Sequence, residues 1–189
     1  MKKIIYILSH LILILLVLTY ESCINKSNRS NQSDRKTEMI TSDFKADFTG
    51  TYLYTGPDTL PAPHCTDTIL PIRVKVKCTG TSDLMGEINV HFDFCVNPNN
   101  GHYGNVYSYF VDSDSDTLFV GLEGAVINGK TDDHPSYVTS YWKDDFVILG
   151  GTGKFEDATG NGKTDDYNSS EDQNSHHHWE GQIMMKNKD

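Results

Sequence analysis

Ile72-Arg73-Val74-Lys75-Val76-Lys77-Cys78 and Ile88-Asn89-Val90-His91-Phe92-Asp93-Phe94 decide the fold. In both, every second residue is apolar and those between are polar or charged. A strand points successive side chains to opposite faces, so each run has one buried face and one facing water. Leu118, Val120 and Leu122 repeat the pattern against Thr117, Phe119 and Gly121. Further strand-like runs are 50–54, 103–111, 137–142, 145–149, 160–167 and 178–186. Turn-forming residues separate them: Asn97-Pro98-Asn99-Asn100-Gly101, the aspartate-serine stretch 112–116, and Asn128-Gly129. No segment sustains a helical period, and the longest candidate is the turn around 154–158. The expectation is an all-β, single antiparallel eight-stranded barrel (eight or nine strands) over residues 47–189. Closing a sheet of short strands on itself removes its exposed edges.

Between two of these runs lies Gly150-Gly151-Thr152-Gly153-Lys154-Phe155-Glu156-Asp157-Ala158-Thr159-Gly160. Gly150, Gly151 and Gly153 allow positive φ or close backbone approach. Phe155 and Ala158 can tuck under the turn as a plug, and Gly160 restarts the chain. The stretch resembles the Gly-Gly-Thr-Gly-(Arg/Lys)-Phe-x-x-Ala-Thr-Gly signature of the allene oxide cyclase and dirigent-like β-barrel superfamily. The segment 114–119 with Gly121 and Gly124, and the late strand 179–183, sit where that superfamily often has such features. The resemblance spans roughly 48–185 and implies an eight-stranded barrel with an apolar interior. Its plant members include a cyclase for an unstable fatty-acid epoxide and proteins that steer phenoxy-radical coupling. No residue here matches their catalytic positions, so no catalytic residue is carried over.

The amino terminus has its own pattern. Lys2 and Lys3 precede an apolar run from Ile4 to Leu18, whose uninterrupted core, 11–18, is short for a membrane span and suited to a signal sequence. Cys23 follows the small residue Ser22, and this resembles the lipobox of a bacterial lipoprotein, cut before Cys23 and acylated on it. Tyr20 and Glu21 stand where such sequences usually carry an aliphatic and a small residue. An ordinary cleaved signal and an uncleaved anchor are the alternatives. All three place the remainder outside the cytoplasm, in a cell envelope. Residues 1–22 are then the signal peptide and 23–46, polar and without period, a flexible tether.

The formal net charge of −10 argues against nucleic-acid binding, since phosphate would be repelled and no basic patch is visible. Of the cysteines beyond Cys23, Cys78 is in phase with buried residues. Cys65 and Cys95 lie at strand or loop ends and are the preferred disulfide pair in an oxidising envelope.

Four motifs tempt a chemical reading. Gly160-Asn161-Gly162-Lys163-Thr164 imitates the end of a phosphate loop, but Asp157 replaces its first glycine, so it reads as a turn. Asp112, Asp114, Asp116 and Glu123 approach calcium-loop spacing, but Thr117 stands at the required glycine; a hairpin with solvated aspartates is expected. His176, His178 and Glu180 would share one strand face as a candidate metal set, with His177 beside Trp179 on the other. Asp165, Asp166, Glu171 and Asp172 could complete that site or neutralise the imidazoles. Tyr103, Tyr107, Tyr109, Tyr137, Tyr141 and Trp142 form an aromatic-rich middle, some of it suited to lining a cavity. No nucleophile elbow is present, and His64-Cys65 reads as a loop with a disulfide half.

The expected function is therefore a membrane-tethered binding or structural module for a small apolar ligand or a protein partner, without a cofactor. The alternative is an isomerase or cyclase acting on a hydrophobic substrate inside the barrel. A buried carboxylate or histidine in an open cavity would favour the enzyme.

Overall fold

The computed structural model describes residues 38–59 and 63–187. The signal peptide, Cys23 and the tether as far as residue 37 lie outside them. The strands are β1 (Met39–Pro57), β2 (Ile72–Ser82), β3 (Gly86–Val96), β4 (His102–Asp112), β5 (Thr117–Leu122), β6 (Gly124–Ala125), β7 (Ile127–Asn128), β8 (Val138–Trp142), β9 (Asp145–Gly151), β10 (Thr159–Ser169) and β11 (Ser175–Lys186). One 3-10 turn, Gly153–Phe155, accompanies them.

Eight strands form a closed antiparallel barrel in the order β11-β1-β2-β3-β4-β5-β9-β10, sealed by β10 against β11. The three remaining strands extend the wall at one end. There β6 pairs with β4, β8 with the distal half of β10, and β7 with β8. Thus β10 changes partner along its length, with β9 beside 160–163 and β8 beside 166–169.

The composition placed 39–46 in the tether, whereas these residues are the first half of β1. Phe44 and Ala46 are buried and alternate with exposed Asp43, Lys45 and Asp47, so the strand period is present under a polar surface. Likewise 160–164 is strand, not turn. A Cβ on Gly160 would sit 2.1 Å from the Gln182 carbonyl oxygen, and one on Gly162 2.2 Å from that of Glu180. The glycines let β10 lie close against β11.

The apolar side chains of the alternating strands meet inside the barrel. At one end Phe44, Phe110, Phe146 and Trp179 interlock edge-to-face or stacked, with centroids 4.8–5.9 Å apart. The 150–160 stretch closes this end. Phe155 and Ala158 are buried beneath it. Gly151 crosses the Thr117 carbonyl oxygen so closely that a Cβ would be 2.0 Å away, and Gly153 has φ +57° against the Asp116 carboxylate.

The Asp112 carboxyl is not solvated but buried. Its Oδ1 accepts the backbone N–H groups of Asp114 and Asp116, and Oδ2 lies 2.7 Å from Lys154 Nζ. Burial alone would raise its pKa; Lys154 and the two N–H groups outweigh that and hold it below the ordinary value. The acidic turn is thus a clamp on the plug.

Candidate functional site

At the other end the aromatic filling stops short, leaving a cavity of about 60 Å³. Its walls are mainly Val76, Phe92, Phe94, Val106, Leu122 and Val126, with Tyr103 and Trp142 from the aromatic-rich middle. Phe94, Val106, Leu122 and Val126 are half-buried and form its rim. Tyr107, by contrast, points outward and is exposed.

The polar groups at the heart of the cavity, Asp166, Ser175 and His177, come from two adjacent strands, β10 and β11. Register sets Asp166 of β10 opposite His177 of β11, and His177 opposite Phe48 of β1. Two residues before His177 on the same inward face is Ser175, opposite Gly50. A Cβ on Gly50 would stand 2.6 Å from Ser175 Oγ, so the glycine makes the serine's room.

Asp166 is fully enclosed. Its Oδ1 accepts the Trp179 indole N–H at 3.1 Å and the His178 backbone N–H at 3.2 Å. Its Oδ2 lies 3.1 Å from His177 Nδ1, off the line of an ideal hydrogen bond. With the proton on Nδ1, His177 Nε2 is free to accept the Ser175 hydroxyl, 2.8 Å away. The imidazole is stacked on Phe48 at 4.6 Å and flanked by Phe92 and Trp142. Burial pushes the Asp166 carboxyl above its ordinary range, against the pull of His177, Trp179 and His178.

Two tyrosines edge the same space. Tyr52 donates to Asn168 Oδ1 at 3.0 Å and comes within hydrogen-bonding reach of Ser175. Tyr103 donates to Asp144 Oδ2 at 2.5 Å, and burial drives its phenol well above the ordinary range.

The candidate metal set is dispersed along the outer face of β11. His176 lies stacked on Tyr167 and within 3.2 Å of Asp172. His178 is held by Asp47 at 2.6 Å, and Glu180 by Lys45 at 2.9 Å. His178 and Glu180 do touch, at 3.3 Å, but His176 pairs with Asp172 instead. Among the described residues no three His, Cys, Asp or Glu side chains gather closely enough to hold a metal ion. Each side chain is held by a partner outside the set: His176 by Asp172, His178 by Asp47 and Glu180 by Lys45.

Cys65 and Cys95 are joined in a disulfide, while Cys78 is free and buried beside Gly50. Above the disulfide, Arg73 grips Asp93 with Nε and Nη2 and reaches Asp58, whose carboxylate accepts the N–H groups of His64 and Cys65. These bonds fasten the β1–β2 connection to the barrel.

Sequence reasoning placed His177 on one strand face with Trp179 but did not assemble Ser175, His177 and Asp166. A signal existed: Ser175 and His177 are two apart on one face. The third member depends on the register of β10 against β11, which no local pattern encodes.

Fold and site together define a closed antiparallel β-barrel with an apolar cavity at one end and a serine–histidine–aspartate chain in that cavity. No protein-family model matches the sequence, and no curated protein does. Among solved structures it is similar to a pterocarpan synthase dirigent protein, at 12% identity over 85% of this chain and 99% of that chain, with a TM-score of 0.35.

Proposed function

We propose that this protein is a lipid-anchored, extracytoplasmic β-barrel that receives one end of a small apolar molecule in the cavity between Phe94, Val106, Leu122 and Val126. The cavity carries the reading. Its walls are predominantly apolar, with a few polar groups converging on one side, the usual make-up of a small-molecule site. Size refines it. About 60 Å³ is far below the roughly 300–1,000 Å³ of a drug-sized ligand pocket. Only the tip of a ligand enters, and the remainder lies over the half-buried rim.

Trp142 and Trp179 both line the cavity and are the two tryptophans of the chain, so their fluorescence reports occupancy. Titrating the full-length protein with short linear alkanols is expected to give a saturable emission change that strengthens with chain length. Val106→Phe, which fills the rim, is expected to abolish it. A linear, unsaturable response in the wild type sinks the binding reading.

The anchor rests on the amino-terminal pattern, Lys2-Lys3, the apolar run and Ser22-Cys23. Cys23→Ser is expected to move the protein from the detergent phase to the aqueous phase in a phase-partition assay of cell envelopes. Unchanged partition would remove the lipid from the proposal.

A second reading, an enzyme acting on an apolar substrate, is favoured by one observation: a buried carboxylate and an imidazole border the cavity together.

A further inference from the structure

We propose that Ser175, His177 and Asp166 are a nucleophilic relay, and that the cavity is an acyl-transfer site for a small apolar ester. The inference rests on the cavity admitting a small molecule, as argued above. It adds a chemical step to that binding.

The layout matches that of an activated serine: a nucleophile in contact with a base, and a carboxyl group 3.1 Å from the base's other nitrogen, off the line of an ideal hydrogen bond. Ser175 Oγ is 2.8 Å from His177 Nε2, and His177 Nδ1 is 3.1 Å from Asp166 Oδ2. All three side chains line the cavity and are shielded from bulk water. A hydroxyl needs no imidazole to be satisfied here, since the Gly50 carbonyl oxygen lies 3.4 Å away, yet the shorter contact goes to His177. The Asp166 carboxylate is itself fixed by the Trp179 indole, which reaches both oxygens, and by the His178 N–H on Oδ1, while Oδ2 also faces the imidazole. Phe48 stacked on the ring holds its plane.

In the step, Ser175 Oγ bonds to the carbonyl carbon of the ester, and its proton passes to His177 Nε2. The C–O bond to the alcohol then breaks, and the alcohol leaves with the proton from His177. Water hydrolyses the acyl-serine by the same route, releasing the acid and restoring the Ser175 hydroxyl. The small cavity restricts the acyl part to a short chain.

Methanesulfonyl fluoride tests the relay with a probe small enough for this space. The Oγ–S bond forms as the S–F bond breaks, His177 takes the proton, and fluoride leaves. Peptide mapping of the treated full-length protein is expected to find one adduct, on Ser175. Exposed Ser113 and Ser136 of the same chain serve as unactivated references, so the wild type alone gives an answer. His177→Gln, checked for an intact melting transition, is expected to slow labelling roughly 100-fold or more; Asp166→Asn serves if that variant does not fold. Labelling of Ser175 no faster than Ser113 and Ser136, or a rate untouched by these variants, overturns the relay. Saturable alkanol binding with an unlabelled Ser175 would leave the binding reading standing and remove the chemistry. Loss of both would remove the cavity as a site.

Discussion

Trp179→Ala is expected to destabilise the barrel by about 3–5 kcal/mol, measured as the loss of unfolding free energy in a denaturant titration followed by far-ultraviolet circular dichroism. Trp179 has no exposed surface, and its ring meets Phe48, Phe92, Phe110 and Phe146 at centroid distances of 4.8–5.9 Å. Truncation leaves a hole that four rigid aromatic rings on different strands cannot collapse to fill. The indole N–H is lost as well, and Asp166, wholly buried, keeps fewer donors. Trp179→Phe separates the two effects, because it preserves most of the ring volume and removes the donor. Its expected cost is about 1–3 kcal/mol. If Trp179→Ala costs under about 1 kcal/mol, the aromatic cluster is not the core that the packing implies.

Removing the disulfide, by the double change Cys65→Ser and Cys95→Ser, is expected to cost about 3–4 kcal/mol. The two cysteines are 30 residues apart, and closing a loop of that length restricts the unfolded chain by about that much. The native side adds to it. Cys65 and Leu70 form a small cluster with fully buried Cys95, separate from the barrel core. Among the described residues of the β1–β2 connection, Cys65 and Leu70 are the buried apolar side chains. The Arg73 ion pairs remain after the change, so the connection loosens before the barrel opens. A melting temperature in reductant equal to that in oxidant would contradict this assignment of the bridge's role.

Much of the barrel was legible because its strands obey a period that survives on the page. Val74, Val76, Ile88, Val90 and Phe92 announce their face by alternation, and all are buried. The start of β1 was hidden because Asp43, Lys45 and Asp47 dominate the composition there, while only Phe44 and Ala46 mark the inner face. The side strand β8 was legible as the run 137–142, with Val138 and Trp142 buried, whereas β6 and β7 were not, because each is only two residues long and too short to show a period. The outward triad of His176, His178 and Glu180 drew attention since metal-binding residues cluster visibly in sequence. The inward chain of Ser175, His177 and Asp166 did not, because its members are brought together by hydrogen bonds between strands. Local patterns report faces; they do not report registers.

The change of partner along β10 has a mechanical consequence. Around the plugged end, each of the eight strands is laced to two neighbours, and the wall there resists widening in every direction. Around the cavity end, the wall between β4 and β10 is carried by the short pieces β6, β7 and β8, and β6 and β7 share no ladder with each other. What spans this seam is Asp144, which accepts the Tyr103 hydroxyl, packs over Gly124 and exchanges hydrogen bonds with Thr164. The barrel is therefore stiff at one end and compliant on one side of the other. The compliant side is the one against which Leu122, Val126 and Trp142 form the cavity wall.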